Sequence, residues 1–434
     1  MMTLAAWPIY DSYKDSGVDW LCAIPSSWSS MRLQEVATCN DDTINDFDYR
    51  DREIKYVDIS SVDARSNTYT FETQAFRNAP SRARRLARHG DIVFSTVRPY
   101  LKAVATVKNP DKYLVFSTGF AVVRPKSTAD QGFVSYALRN EDFISEVTAR
   151  SVGASYPAIN ASDLFKLKLP LPPLPEQRAI AAFLDEKCAK VDEAVRIKEE
   201  QITLLRERRQ ILIQQAVTRG LNPDAPLHDS GIDWIGKIPA HWEVRRSKYV
   251  FTQRKELARK NDIQLSATQS YGVIPQDKFE ELVGRRVVKI QTNLEKRKHV
   301  EIDDFVISMR SFQGGLERAF ATGCIRSSYV ILQPLESLSA DFFGYLFKSP
   351  RYIKALQATG SFIRDGQDLN FDNFSKVDLF LPPMDEQVAI AAHIKVGCEK
   401  IDSGIAIKEQ QIVALRDYRT SLIDATVTGK IKVA

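Results

Sequence analysis

Basic residues are bunched along this chain, and polar, glycine-containing loops lie close to the bunches. Between Arg77 and Lys108 eight basic residues, among them Arg82, Arg84, Arg85, Arg88, Arg98 and Lys102, stand against Asp91 alone. Arg245 to Lys260 holds seven against Glu256. Arg285 to Lys298 holds six, including Arg285, Arg286, Lys296, Arg297 and Lys298, against Glu295. Residues 40 to 63 have the opposite balance, eight acids to three bases. Clustered cations make a local positive field that attracts phosphates; the bland alternative is a solvated face whose acids lie nearby in space. The loops are "VRPYLK" (97–102) and "SVGASYPAIN" (151–160) in the first half, and "MRSFQGG" (309–315) and "GSFIRDGQDLN" (360–370) in the second. Arg98, Tyr100, Lys102, Ser155 and Tyr156, then Arg310, Arg364 and Gln367, are candidates for gripping phosphates and reading base edges.

No catalytic chemistry accompanies them. There is no Asp/Asn/Ser-Pro-Pro-aromatic run of an adenine methyltransferase, since "LPPLPE" and "LPPMDE" do not qualify. No G-x-x-x-x-G-K-S/T phosphate loop occurs, nor a pair of nuclease acids with a lysine at usable spacing. The five cysteines, Cys22, Cys39, Cys188, Cys324 and Cys398, are odd in number and form no C-x-x-C pair. With five scattered histidines, they indicate neither a disulfide framework nor a metal site.

The elements that must position these loops occur twice. Leu169 to Thr218 aligns without a gap on Leu379 to Thr428, an offset of 210, with about half the positions identical. Upstream, "DSGVDWLCAIPSSW" at Asp15 to Trp28 matches "DSGIDWIGKIPAHW" at Asp229 to Trp242, an offset of 214. Between these flanks the halves hardly resemble each other. The chain is a tandem duplication of two units, a constant frame around divergent inserts, so the frame does one job twice and the inserts do two versions of another.

Each repeated segment opens on a proline pair, Pro172-Pro173 or Pro382-Pro383, followed by Glu176-Gln177 or Glu386-Gln387, and closes near Gly220 or Gly429. Acids in a first turn and glycine after the last are helix-boundary signals. Between them a heptad seam runs through Ala181, Leu184, Cys188, Val191, Val195, Ile202, Leu205, Leu212 and Ala216. Its second copy runs through Ala391, Ile394, Cys398, Ile401, Ile405, Ile412, Leu415 and Leu422. The spacing predicts two long helices of about 64 Å with coiled-coil seams. Lys198 with Lys408, and Arg209 with Arg419, are cations at seam positions in both copies. They either weaken the seam and fix its register or snorkel outward. The connector from Gly220 to Gly236 is short, which favours antiparallel pairing and brings "TGKIKVA" back to the N-terminal flank.

Strand signals fill both inserts: "GDIVFSTV" and "YLVFSTGFAVVRP" in the first, "DDFVISMR" and "SSYVILQP" in equivalent places in the second. "SYALRNEDFISEVTA" and "DFFGYLFKSPRYIKALQ" read as helices after them. The fold expected is α/β: two α/β domains separated by two long antiparallel helices forming a coiled coil, with pseudo-two-fold symmetry. The boundaries expected are 1–170, 171–220, 221–380 and 381–434. At 434 residues, with 44% hydrophobic and 26% charged residues and net charge +5, the chain has the composition of a globular protein of two or more domains. No apolar run approaches a bilayer span and the N-terminus does not read as a signal peptide, so the cytoplasm is the expected compartment.

The doubled "LPPLPEQRAIA" and "LPPMDEQVAIA", the doubled W-x(3)-I-P-x(2)-W flank and the strand "GDIVFSTVRPYL" resemble the specificity subunits of type I restriction-modification enzymes. The resemblance covers nearly the whole chain. It implies that each variable block is a target recognition domain reading one half of a split, asymmetric site in double-stranded DNA. The helices would set the unread spacer and dock two methylation subunits, to which two restriction subunits add. Glu176, Gln177, Lys198, Arg209, Glu386, Gln387, Lys408 and Arg419 are the candidates for register and partner docking. S-adenosylmethionine, ATP and Mg would serve the partner subunits, and this subunit would hold no cofactor and no catalytic centre. A methyltransferase or nuclease acting alone, or an assembly scaffold that does not bind DNA, are the rival readings. Two departures stand out: the second block has "MRSFQGG" in place of "VRPYL", and Cys22-Ala23 stands where the other flank has Gly236-Lys237.

Overall fold

The computed structural model describes residues 7–64, 66–287, 294–308, 310–359 and 370–433. The chain forms two compact units. Unit 1 is Met1–Glu199 with Glu409–Ala434, and unit 2 is Glu200–Lys408. The division falls inside the two long helices, Leu174–Arg219 and Met384–Val427, so each helix gives one half to each unit. A chain cut at the helix ends would leave two apolar stripes unpaired; sharing them buries both.

Within each unit the helix segments run antiparallel. In unit 1 Arg416 pairs with Glu199 at 2.9 Å, and Arg419, further along, pairs with Asp192, further back, at 3.4 Å. In unit 2 Leu212 packs at Gly397 and Leu205 at Gly404. A Cβ on Gly397 would stand 2.7 Å from Leu212 Cδ2, so a residue that costs a helix about 1 kcal/mol makes room for the seam. The seam residues Leu184, Cys188, Val191, Ile202, Ile394, Cys398, Ile401, Ile412 and Leu422 are buried. Val195, Leu205, Leu212, Ile405 and Leu415 are half-buried. Among the described residues no helix is long and apolar enough to cross a membrane.

The repeated flank is a hairpin in both units, Tyr13–Asp15 with Ala23–Pro25 and Leu227–Asp229 with Lys237–Pro239. Its turn needs a left-handed residue. Gly236 supplies it at φ +73°, and Cys22 adopts the same region at φ +53°. The sequence departure is therefore absorbed without changing the turn, at the steric cost of a Cβ in that region. The flank then gives a strand, Ser29–Arg32 or Glu243–Arg246, which pairs antiparallel with the strand just before the long helix, Lys168–Leu171 or Asp378–Leu381. Each insert is thus tied at both ends by one two-stranded clamp.

The inserts share a central layer and diverge beyond it. Unit 1 has an antiparallel sheet in the order Val104–Thr106, Ile92–Ser95, Phe120–Pro125, Ala37–Cys39. Unit 2 has its counterpart in the order Phe251–Arg254, Val330–Pro334, Phe305–Ile307, Glu317–Arg318. Unit 1 adds a five-stranded mixed sheet, Asp42–Thr43, Ala83–Leu86, Leu114–Ser117, Glu53–Val57 and Glu72–Ala75. Unit 2 instead adds two separate strand pairs, Leu265–Thr268 with Gly272–Pro275 and Lys298–Val300 with Gly323–Ile325. Each run of helical sequence that follows is two helices: Gln131–Ala137 and Glu141–Ala149, then Ala340–Phe347 and Pro350–Ala358. The breaks are made by N-caps, Asn140 accepting from the Phe143 N–H and Ser349 from the Tyr352 N–H, with Pro350 at the first helical position.

One buried ion pair shows how the frame tolerates divergence. Asp91 and Asp304 open equivalent strands, and both are 2% exposed. Arg124 binds Asp91 from the neighbouring strand, through Nε at 2.9 Å and Nη2 at 2.7 Å. Arg254 binds Asp304 from the next strand over, through Nε at 2.7 Å and Nη2 at 3.0 Å. The cation has moved between strands while the pairing persists, as expected where losing one partner would strand a buried charge.

Candidate nucleic-acid interface

Four residues repeated in both frames hold the helix starts, two glutamines against the inserts and two glutamates against the N-terminal side of each unit. Gln177 and Gln387 are buried. Gln177 Nε2 donates to the Pro172 carbonyl at 2.8 Å and its Oε1 accepts from the Asp130 N–H at 2.8 Å. Gln387 Nε2 donates to the Pro382 carbonyl at 2.9 Å and its Oε1 accepts from the Ser339 N–H at 2.9 Å. Asp130 and Ser339 are themselves N-caps of the next insert helix. Each glutamine therefore couples the proline barrier to the insert of its own unit. Glu176 accepts from the Tyr10 hydroxyl at 2.5 Å. Glu386 accepts from Trp242 Nε1 at 3.1 Å and pairs with His241 at 2.7 Å.

Two of the seam cations make ion pairs across the helices. Arg209 reaches Asp402 at 3.6 Å and Arg419 reaches Asp192 at 3.4 Å, the same cross-helix ion pair made twice. Arg209 is exposed and Arg419 largely covered, while Lys198 and Lys408 are half-buried.

The basic run of unit 1 divides in two. Arg84 and Arg85 lie on the strand Ala83–Leu86, which pairs with Asp42–Thr43, and acids from residues 40 to 63 meet this run. Arg88 binds Asp42 through Nε at 2.8 Å and Nη2 at 3.0 Å, and Arg82 binds Asp58 at 2.5 Å. Arg88 and its neighbour Arg124 hold the Asp42 carboxyl below the usual carboxylate range. Arg84 lies over the Phe76 ring at 5.4 Å. Arg82 and Arg88 are exposed, and each is paired with a surface carboxylate.

Arg98, Tyr100, Ser155 and Tyr156 are different. The loops 97–102 and 152–158 come together through bridges of Val97 and Val152 to Ala158, and the Arg98 N–H donates to the Pro157 carbonyl at 2.7 Å. The Arg98 guanidinium sits 4.1 Å from the Tyr156 ring centroid. Tyr100 and Tyr156 are exposed, and so are Leu101 and Val152 in the same loops. Lys102 is paired with Glu141. Leu101 and Val152 lie in loops that the sequence marks by their polar and basic residues, so it does not single out their apolar side chains.

In unit 2, Arg285, Arg286 and Lys296 are exposed. Arg297 is 7% exposed, and Lys298 donates to the Tyr329 carbonyl at 2.6 Å, so these two point into the unit. Arg310 is exposed at the start of the turn Ser311–Gly314. Lys348 holds that turn by donating to the Gly314 carbonyl at 3.0 Å and to Glu317 at 2.7 Å. Burial pushes the Glu317 carboxyl up to about 7 against the pull of Lys348. Arg364 and Gln367 lie outside the described residues.

A second perturbed acid sits where a long helix meets the unit 1 insert. Asp424 Oδ1 accepts from Asn140 Nδ2 at 2.8 Å and from the Glu141 N–H at 3.0 Å. Burial, with Glu141 and Asp142 adding repulsion, pushes its pKa up to about 6. The raised folded pKa means stability falls as pH rises from about 4 to about 6 and is level above that. Asp424→Asn keeps the acceptor oxygen and removes the charge. It is expected to stabilise unit 1 by about 1–2 kcal/mol at pH 8, with the gain fading below pH 6. Thermal unfolding at pH 8, 6 and 4.5 checks this.

Comparison with known proteins gives a family match and several relatives. Residues 25–204 match the family model "Type I restriction modification DNA specificity domain". The chain is 25% identical over 357 residues to the putative type I restriction enzyme MjaX specificity subunit of Methanocaldococcus jannaschii, covering 79% of each chain. It is 23% identical over 356 residues to the MjaVIII specificity subunit of the same organism, covering 74% of this chain and 75% of the relative. Over 115 residues, 25% of each chain, it is 30% identical to the EcoKI specificity subunit of Escherichia coli. Among solved structures, a chain from a study of complex assembly and conformational transition of the type I R-M system has a TM-score of 0.69 at 24% identity. That match covers 93% of this chain and 98% of the other. The HsdS subunit from Thermoanaerobacter tengcongensis has a TM-score of 0.54 at 24% identity, covering 94% of this chain and 98% of the other. The last two show a shared fold. A specificity-domain match over residues 25–204 and a likeness to two curated specificity subunits along three quarters or more of their length agree, and both indicate a specificity subunit of the type I restriction-modification kind.

Proposed function

We propose that this chain is the DNA-reading subunit of a type I restriction-modification complex and that it reads a bipartite, asymmetric target. The observation that carries this is one frame built twice around two unlike inserts. Equal frames fit equal docking and spacing, while unlike inserts fit unlike half-sites. Duplex DNA is drawn in by phosphate neutralisation, which is salt-sensitive and blind to sequence. Exposed loops then discriminate, at roughly 1–3 kcal/mol for each good bidentate base contact.

In this reading the long helices keep the readers apart and dock two methylation subunits, to which two restriction subunits add. Glu176, Gln177, Lys198, Arg209 and their counterparts Glu386, Gln387, Lys408 and Arg419 keep the register on which docking depends. Chemistry belongs to the partners, with S-adenosylmethionine, ATP and Mg bound there, in the cytoplasm. The test is to exchange residues 53–157 for the corresponding block of another specificity subunit and map the methylated adenines. One half of the target is expected to change. A change in both halves would contradict independent readers.

A further inference from the structure

The bridged loops 97–102 and 152–158 of unit 1 form a loop tip whose exposed surface is largely apolar. Arg98 and Lys102, at φ +50° and +56°, are both left-handed and bracket the turn Pro99–Leu101. Each such non-glycine residue costs about 1–2 kcal/mol, and strain of this kind gathers at functional positions. What the strained turn presents is largely apolar: Leu101 is 50% exposed, and Val152 on the adjoining loop is 82% exposed. Tyr100 and Tyr156 are exposed beside them. The charges nearby are mostly spent, since Glu141 takes Lys102. Arg98 is the exception. It stacks on Tyr156 and donates from Nη2 to the Ser155 carbonyl at 3.4 Å, but its Nε is buried with no hydrogen-bond partner among the described residues. A buried donor without an acceptor calls for a ligand or a rearrangement.

Resting on the DNA-reading function above, we propose that this tip reads thymine by its C5-methyl group in the major groove. Leu101 and Val152 make the apolar contact, and Arg98 gives the tip its hold on a neighbouring phosphate. A methyl group is the one apolar mark a base pair shows in that groove, and it suits side chains that cannot read nitrogen or oxygen edges. The occupant is duplex DNA because an arginine with no carboxylate partner among the described residues and one unpaired N–H, beside apolar groups, complements a phosphate next to a methyl, and because the DNA specificity match spans both loops.

The experiment uses the full chain with its methylation subunits and duplexes carrying its mapped target. Thymines of the half-site assigned to residues 53–157 are replaced one at a time by uracil, which removes only the methyl. One replacement is expected to weaken binding about fourfold. Leu101→Ala is expected to weaken binding by a similar factor and to be indifferent to uracil at that position. Val152→Ser repeats the test if Leu101→Ala folds poorly. Uracil in the other half-site should affect parent and variant alike. The tip assignment is overturned if no thymine in the half-site responds, if the half-site has none, or if the variant and uracil losses multiply independently. Loss of specific duplex binding by the parent complex would instead overturn the DNA-reading function itself.

Discussion

Inserting four residues into each long helix, after Leu205 and before Gly404, is expected to lengthen the preferred spacer by one or two base pairs. Leu205 packs at Gly404, so insertions on the facing sides preserve the antiparallel pairing in both directions. Four residues add about 6 Å of helix, and a base pair rises about 3.4 Å. Activity on the parent spacing should fall about a hundredfold, because misplacement of even about 1 Å can cost that much. Both half-site sequences should be unchanged. Methylation of a duplex series that differs only in spacer length reads the result. A retained spacer with an altered half-site would rule out the helices as the ruler.

Trp28→Ala is expected to cost about 3–5 kcal/mol, the usual cost of emptying a large aromatic site in a core. Trp28 is 1% exposed and joins three parts of unit 1. Its ring meets Tyr10 at 5.7 Å and Phe133 at 6.4 Å, and Gly429 closes over it at the end of the second long helix. At φ +75°, Gly429 permits that approach: a Cβ there would stand 2.4 Å from Pro25 and 3.3 Å from Trp28. The Tyr13 hydroxyl donates to the Gly429 carbonyl at 3.1 Å, and the Lys432 N–H donates to the Pro8 carbonyl at 2.7 Å. Removing the indole should therefore loosen the hairpin, the insert helix Gln131–Ala137 and the chain end together. Trp242→Ala should do the same to unit 2, where Trp242 stacks on Phe380 and Gly220 closes over it. Denaturant unfolding of the two variants checks both. A loss below about 1 kcal/mol would mean that the repeated tryptophan is not a keystone of the frame.

Much of this frame was legible because its signals are local. The heptad seam, the proline pairs and the closing glycines each act within a few residues, and the helices begin and end where those residues require. Doubling made the frame more legible still, since Glu176-Gln177 and Glu386-Gln387 stand out by repetition. The return of the C-terminal segment to the N-terminal flank followed from the short connector.

Long-range pairings were not legible. Nothing near Arg88 announces Asp42, and the arginine that meets Asp91 comes from one strand while that for Asp304 comes from another. A charge run looks the same in sequence whether its acids lie across a strand or nowhere. The sharing of each long helix between two units was equally hidden, because it depends on contacts between segments some 200 residues apart. Residues 97–102 were legible as a loop with basic chemistry. The apolar side of that loop was not, because exposure of Leu101 and Val152 is a property of the packed unit.

The most direct test of two unlike readers in one frame is a genome-wide map of N6-methylated adenines in a host carrying this chain and its partner subunits, compared with the same host lacking the chain. The account predicts a motif that depends on the chain, with two different short halves separated by a fixed number of unspecified base pairs. A continuous motif, two identical halves, or a map unchanged by deleting the chain would contradict it.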